Sequence, residues 1–449
     1  MNKTDIYQLR RNALAKHIFA KTGGGIAVIS TAPELARNRD SDFPYRHDSD
    51  FFYLTGFEEP GATLVMKVSA DGSSHTLESH LFCRPKDLER EIWDGIRLGP
   101  EAAPKELGIE FAHSIHDLDQ KLGELLADQT AIYIRLAENK EADAQLRRWM
   151  KQVRAQSRSG INPPSELHDI ELLVHEMRLF KDAHELDIMR RAAAISARAH
   201  IRAMQICKPG MREYQLEAEL LHEFRNSGAQ SVAYNSIVAG GANSCILHYR
   251  AGSTELRSGE LCLIDAGCEF DGYASDITRT FPINGKFTPA QRKIYTLVYE
   301  AQEAGIAAVK PGAKFRDFHF AAMRVLAEGL HEMGVLPVSV DDAMKPDSAV
   351  YRRWTVHGTG HMLGMDVHDC ARARNEAYAE GILEEGMVLT VEPGFYIHPD
   401  DMLFPAEYRG IGVRIEDDIL VTKDGAKNLS GAMPRHPDEI EAWASALWR

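Results

Sequence analysis

The chain has 449 residues, so at about 150 residues per domain it holds two or three domains and can bury a large core. Hydrophobic residues at 44% and charged residues at 26% are the composition of a globular enzyme, which excludes a disordered or collagen-like chain. The net charge of −14 argues against a nucleic-acid partner, since phosphate binding wants a basic surface.

The segment Lys3 to Lys21 carries five basic residues and one acid, Asp5, with apolar Ile6, Leu9, Leu14 and Ile18 near helical spacing. An ordinary first helix explains it, although a transit peptide would share the pattern. Strands are predicted at Ile26 to Ser30, Phe51 to Thr55, Ala62 to Val68, His80 to Cys83 and Ala131 to Leu136. Helical stretches alternate with them, the pattern of a mixed or mostly parallel sheet. The turn-rich run Ser157 to Glu166, with two prolines, places a domain boundary nearby.

Beyond it, Asp182 and Glu185 form a capping-box start for a long helix to about Cys207. Lys208-Pro209-Gly210 ends that helix, and Lys310-Pro311-Gly312 ends another; a further helical pattern follows each, Glu213 to Asn226 and Phe315 to Met333. The strands repeat as well: Gly259 to Gly267 and Gly386 to Gly394 align without a gap, each with an acid two residues before its last glycine, Asp265 and Glu392. A second acid-bearing strand follows each, with Asp276 and Glu416. The chain therefore reads as an internal duplication in which each half presents two carboxylates.

Asp271-Gly272 is a hairpin signal that brings Asp265 roughly opposite Asp276. A buried carboxylate pair needs a shared proton or a cation; a solvated turn position is the plainer reading of Asp265 alone. Glu416 lies in an apolar strand with Arg414 on the same face, which fits a simple ion pair or an arginine orienting metal-binding carboxylates. The segment His357 to Asp369 carries His357, His361 and His368 among glycines that forbid a continuous helix, so it is a site-lining loop and strand. His248, in an apolar context, reads as a core histidine or a ligand-site residue. Four carboxylates with a little imidazole suit two divalent ions, Mn²⁺ first, with Co²⁺, Fe²⁺ or Zn²⁺ as alternatives, and the chemistry of metal-assisted hydrolysis.

The ordered set Asp265, Asp276, His361, Glu392 and Glu416 on a duplicated α/β domain resembles the pita-bread metallopeptidases, the family of methionine aminopeptidase, prolidase and aminopeptidase P. These positions match the family's dimetal ligands one for one. The resemblance implies that Asp276 and Glu416 bridge the ions, Asp265 completes one, and His361 and Glu392 complete the other. It also implies Glu392 as general base, His248 and His361 at the oxyanion, and His357 and His368 lining the substrate site. Asp48 to Ala62 and Glu91 to Ala103 resemble the aminopeptidase P N-terminal domain, giving a domain over 1–174 followed by a pita-bread catalytic domain over 175–449. The implied reaction is hydrolysis of the N-terminal Xaa-Pro bond of peptides through a metal-bridged hydroxide. Prolidase and a non-catalytic peptide-binding module are the alternatives.

Three expectations complete the reading. Trp93 is a core aromatic or a substrate-site wall lent to a neighbouring subunit of a homo-oligomer, a dimer or tetramer. The run Cys370 to Gly381 departs from the family, with Cys370 where a glycine is usual and Arg372 or Arg374 as a stand-in for a substrate-reading arginine. Six scattered cysteines, no apolar signal segment and no membrane-length apolar run set cytoplasmic localisation as the expectation.

Overall fold

In the computed structural model, which describes residues 3–348 and 350–447, the chain divides into two compact units, Met1–Met177 and Arg178–Arg449. The first unit opens on the helix Lys3–Thr22 and builds a six-stranded mixed sheet. Its strands lie in the order Phe111–Ser114, Ser74–Cys83, Thr63–Asp71, Gly25–Ser30, Ala131–Ile134 and Glu166–Asp169. Ile26, Val28, Val65, Phe82 and Ile132 pack there against Leu122, Trp149 and Val153.

One element differs from expectation. The run Phe51 to Thr55 is not a strand but the end of a helix, Ser49–Thr55, every residue of which is buried. Asp48 caps it by accepting the Phe51 N–H at 2.9 Å, and Gly56 closes it in the left-handed region at φ 64°. A short, wholly apolar run has no readable period, so its two caps decide the element.

The second unit carries the duplication. Its first half pairs the helices Ala183–Ile206 and Glu213–Asn226 with the antiparallel strands Ile237–Gly240, Leu261–Asp265 and Thr278–Pro282. The second half pairs Pro289–Ala308 and Asp317–Glu332 with Val388–Val391, Asp417–Thr422 and Gly425–Asn428. Asp182 and Glu185 do form the capping box of the long helix.

Register fixes which side chains meet. Asp265 pairs with Thr278, and Glu269 pairs with Ala274 across the Asp271-Gly272 turn. Asp276 therefore faces Gly267 rather than Asp265, and the two carboxylates are diagonal neighbours. Gly267 has no alternative, because a Cβ there would lie 1.7 Å from the Ser275 carbonyl oxygen.

In the second half, Val391 pairs with Asp417 and Gly394 with Arg414, which sets Glu392 directly opposite Glu416. The repeat thus matches Thr278 to Glu416 and Asp276 to Arg414. Contacts between the halves follow that symmetry. The Glu416 N–H donates to the Thr278 carbonyl at 3.1 Å, the Asp276 N–H to Asp418 at 3.2 Å, and the Arg414 N–H to Thr280 Oγ1 at 3.3 Å. At the centre, Arg279 and Asp417 form a fully buried ion pair at 2.7 Å.

Candidate metal centre

The strand ends of both halves converge on a cleft of about 600 Å³ whose lining includes Asp265, Asp276, His361, Glu392 and Glu416. Asp276, His361 and Glu416 each bring a ligand atom within 4.8 Å of the other two. His361 Nε2 lies 3.5 Å from Asp276 Oδ2 and 3.6 Å from Glu392 Oε1. Its Nδ1 donates to the Met362 carbonyl at 3.0 Å, which leaves Nε2 as the nitrogen turned to the carboxylates and, once it gives up its proton, the ligand atom for a cation. Gly360 lets this segment press on the neighbouring strand, since a Cβ there would meet the Thr390 carbonyl oxygen at 2.0 Å.

A frame of neutral and cationic donors fixes the carboxylates. The Tyr234 hydroxyl bridges Asp265 Oδ1 at 2.6 Å and Asp276 Oδ1 at 2.5 Å. Arg414 Nη2 donates to Asp265 Oδ2 at 2.6 Å, its Nε to Thr278 Oγ1 at 3.1 Å, and Thr278 Oγ1 in turn donates to Glu416 Oε2 at 2.6 Å. Arg414 therefore pairs with Asp265, and its tie to Glu416 runs through a threonine. That follows from the register, which puts Arg414 where the first half has Asp276.

Burial and mutual repulsion dominate the electrostatics. Burial raises Asp265 despite Arg414 beside it. Burial, with Asp276 and Glu392 adding, holds Glu416 well above the usual carboxylate range. Glu392 is pushed up to about 7 by burial, reinforced by Asp276 and opposed by His361 and Arg414. Burial opposes charge on His361, yet its hydrogen bond to Asp276 and the charges of Glu392 and Asp276 carry it up to about 9. Protons here do what cations do in a loaded site, neutralising clustered anions. Four carboxylates and one imidazole form an oxygen-rich donor set that fits two divalent ions.

His357, held neutral at about 4 by burial and Arg414, donates from Nδ1 to the Gly358 carbonyl at 2.6 Å and accepts at Nε2 from the Tyr396 hydroxyl at 2.7 Å. The His368 ring centroid lies 4.1 Å from that of His361. His248 is exposed in a turn on the cleft wall, which overturns the core-histidine reading. Trp93 is 84% exposed on the helix Leu88–Asp94, which overturns the core-aromatic reading.

Arg372 and Arg374 do not line the cleft; Arg374 pairs with Glu384 and lies over the Phe180 ring. Cys370 adopts a left-handed backbone, φ 57°, a conformation that favours glycine. Its thiol donates to Asp369 at 2.8 Å, and Asp369 is held by Lys181 at 2.9 Å and Arg178 at 2.5 Å.

Tyr234, Thr278, Tyr396 and Asp418 were not foreseen. Asp418 had a signal, as an acid two residues beyond Glu416 in an apolar strand. The tyrosines and the threonine had none, because their roles depend on register across the duplicated halves.

The chain matches the models of Metallopeptidase family M24 over residues 187–423 and of the Aminopeptidase P, N-terminal domain, over residues 7–133. It is 45% identical over 436 residues to the Xaa-Pro aminopeptidase of Escherichia coli (strain K12), covering 97% of this chain and 96% of that one. The structure of Pseudomonas aeruginosa aminopeptidase PepP is similar with a TM-score of 0.93 at 45% identity, over 99% of this chain and 98% of that one. Aminopeptidase P from E. coli with the inhibitor Pro-Leu gives a TM-score of 0.94 at 44% identity, over 99% of each chain.

Proposed function

The chain belongs to metallopeptidase family M24, and from that premise we propose how the residues of its carboxylate cleft divide a proline-specific aminopeptidase reaction. The activity is metal-dependent hydrolysis of the N-terminal Xaa-Pro bond of peptides. One observation carries the site assignment, the convergence of Asp276, His361 and Glu416 within 4.8 Å beside Asp265 and Glu392.

We assign Asp265, Asp276, His361, Glu392 and Glu416 as the residues that would hold two divalent ions, with Mn²⁺ as the preferred metal. When bound, the ions lower the pKa of water into the physiological range and polarise the scissile carbonyl. Glu392 takes up the proton released at the nucleophile and returns it to the departing proline nitrogen. His361 has both ring nitrogens committed, one to Met362 and one to the carboxylates, so it acts through the ligand cluster. The free hydrogen bond to the developing oxyanion then falls to His248, exposed on the cleft wall. His357 and His368 line the substrate, and Arg414 positions Asp265.

The proposed domain organisation is an N-terminal module over 1–174 and a catalytic module over 175–449, supported by the two family matches. Leu88, Ile92, Trp93 and Ile96, each at least 80% exposed, form an apolar surface that supports a homo-oligomer in which Trp93 meets a neighbouring copy. Six free cysteines support a reducing, cytoplasmic setting. Among the described residues no helix is long and apolar enough to cross a membrane.

The test compares an Arg-Pro-Pro peptide, an Xaa-Pro dipeptide and an Xaa-Ala control. Release of the N-terminal residue alone from the longer peptide, with the Xaa-Ala control nearly inert, is expected. Turnover of the dipeptide with none of the longer peptide would make the enzyme a prolidase.

A further inference from the structure

The loop that follows the strand Ile237–Gly240 carries two cleft-lining residues of different character, His248 and Arg250. Its position is fixed from behind by Glu213, a carboxylate with 0% exposure at the start of the helix Glu213–Asn226. Four donors, one from the last residue of that strand and three from the loop, converge on it. The Gly240 N–H and Asn243 Nδ2 reach Oε1, both at 2.9 Å. The Tyr249 hydroxyl and the Gly252 N–H reach Oε2 at 2.8 Å and 3.1 Å. A buried carboxylate satisfied this fully holds a loop to one geometry, and here it sets the backbone on both sides of Arg250.

Arg250 is exposed at the cleft, and among the described residues it makes no hydrogen bond or ion pair. The other arginine of the lining, Arg414, is committed to Asp265, Thr278 and Tyr396. Once two dications offset the four ligand carboxylates, the lining keeps the positive charges of Arg414 and Arg250, and of the two Arg250 is the one with no hydrogen-bond partner among the described residues. A guanidinium on a rigid loop, facing the cleft and lacking an internal partner, is built for an anion that arrives with the substrate. In a peptide carrying its α-ammonium at the scissile end, that anion is a carboxylate beyond proline.

We propose that Arg250 is a specificity-determining residue that pairs with a carboxylate on the leaving side of the substrate and so favours short free-acid peptides. The carboxylate is either the C-terminus of a tripeptide or an acidic side chain at its third position. The assignment rests on the aminopeptidase reading, because it takes the substrate to extend past proline.

The experiment measures KM and kcat of the metal-loaded full chain on Ala-Pro-Gly, Ala-Pro-Gly amide and Ala-Pro-Asp amide, for wild type, Arg250→Gln and Arg250→Lys. In wild type the free acid should have a KM ~10-fold below that of the amide, the size of one charge-assisted hydrogen bond. Arg250→Gln should erase most of that KM difference, and Arg250→Lys should restore part of it, which a merely structural role would not do. A low KM for Ala-Pro-Asp amide as well would show that the side-chain carboxylate is also read; a high one would restrict reading to the C-terminus. Equal KM for acid and amide in wild type, or a difference that persists in Arg250→Gln, overturns the proposal. Wild-type cleavage of the amides upholds the aminopeptidase reading in either case. If none of the peptides is cleaved, that reading fails, and calorimetric binding of Pro-Leu against Pro-Leu amide still decides whether Arg250 prefers the acid.

Discussion

Glu392 stands between two roles, ligand and proton carrier, and its surroundings separate them. Its Oε1 faces His361 at 3.6 Å, Thr390 Oγ1 lies 3.4 Å from the same oxygen, and Oε2 lies 3.7 Å from His357. Glu392→Gln keeps the shape but cannot carry a proton, so kcat should fall by ~10² or more while substrate still binds. Steady-state kinetics with a binding measurement on the same variant check this, and an unchanged kcat would remove Glu392 from the proton path. At this scale the gathering of Asp265, Asp276, Glu392 and Glu416 in one cleft was legible, because acids in apolar strands of both halves of a duplication have no plain structural explanation, whereas the ligand role proposed for them and for His361 rests on the family resemblance. Arg414 was legible only as a choice. Its side chain reached Asp265 because the register of two hairpins, which spacing alone does not determine, puts it in the place of Asp276.

Elements in this molecule are positioned by close backbone approaches that only glycine permits. Gly267 lies where the hairpin carrying Asp265 and Asp276 folds on itself, and Gly360 where the His361 segment crosses Thr390. Gly267→Ala must push apart two backbones, since the new Cβ would sit 1.7 Å from the Ser275 oxygen. It should cost about 3 kcal/mol of stability, read as a shift in the urea midpoint at constant slope, with metal affinity lowered through displaced Asp265 and Asp276. Helix starts were legible where side chains cap them, as at Asp182 with Glu185. The helix Ser49–Thr55 was not, because an unbroken apolar run carries no period and its caps lie outside it.

Across the whole molecule, the cleft is a local cost that metal binding converts into stability. Glu392, raised from 4.5 to about 7, contributes stability that is full below its ordinary value and is lost as pH rises through about 7. His361, raised from 6.5 to about 9, acts in the same direction over the next interval. Asp369, held well below the usual carboxylate range by Lys181 and Arg178 against the cost of its burial, has the opposite sign, and its contribution is lost only in acid. Metal-stripped protein should therefore lose stability steadily between about pH 5 and about pH 9, and the stabilisation from added Mn²⁺ should grow over the same range. Thermal melts with and without Mn²⁺ at both ends of that window check it; a gap that narrows as pH rises would contradict the assignment of these groups to one cation site.

The proposed assignment gives cleavage of the Xaa-Pro bond to two divalent ions held by Asp265, Asp276, His361, Glu392 and Glu416. It is tested most directly by titrating Mn²⁺ into metal-stripped protein while following release of the N-terminal residue from an Arg-Pro-Pro peptide, with bound metal counted in parallel. Release should be negligible at the start, activity should saturate at about two ions per chain, and Asp276→Asn and Glu416→Gln should reach neither that occupancy nor that rate. Full activity in the stripped protein, or full loading and an unchanged rate in either variant, would contradict it.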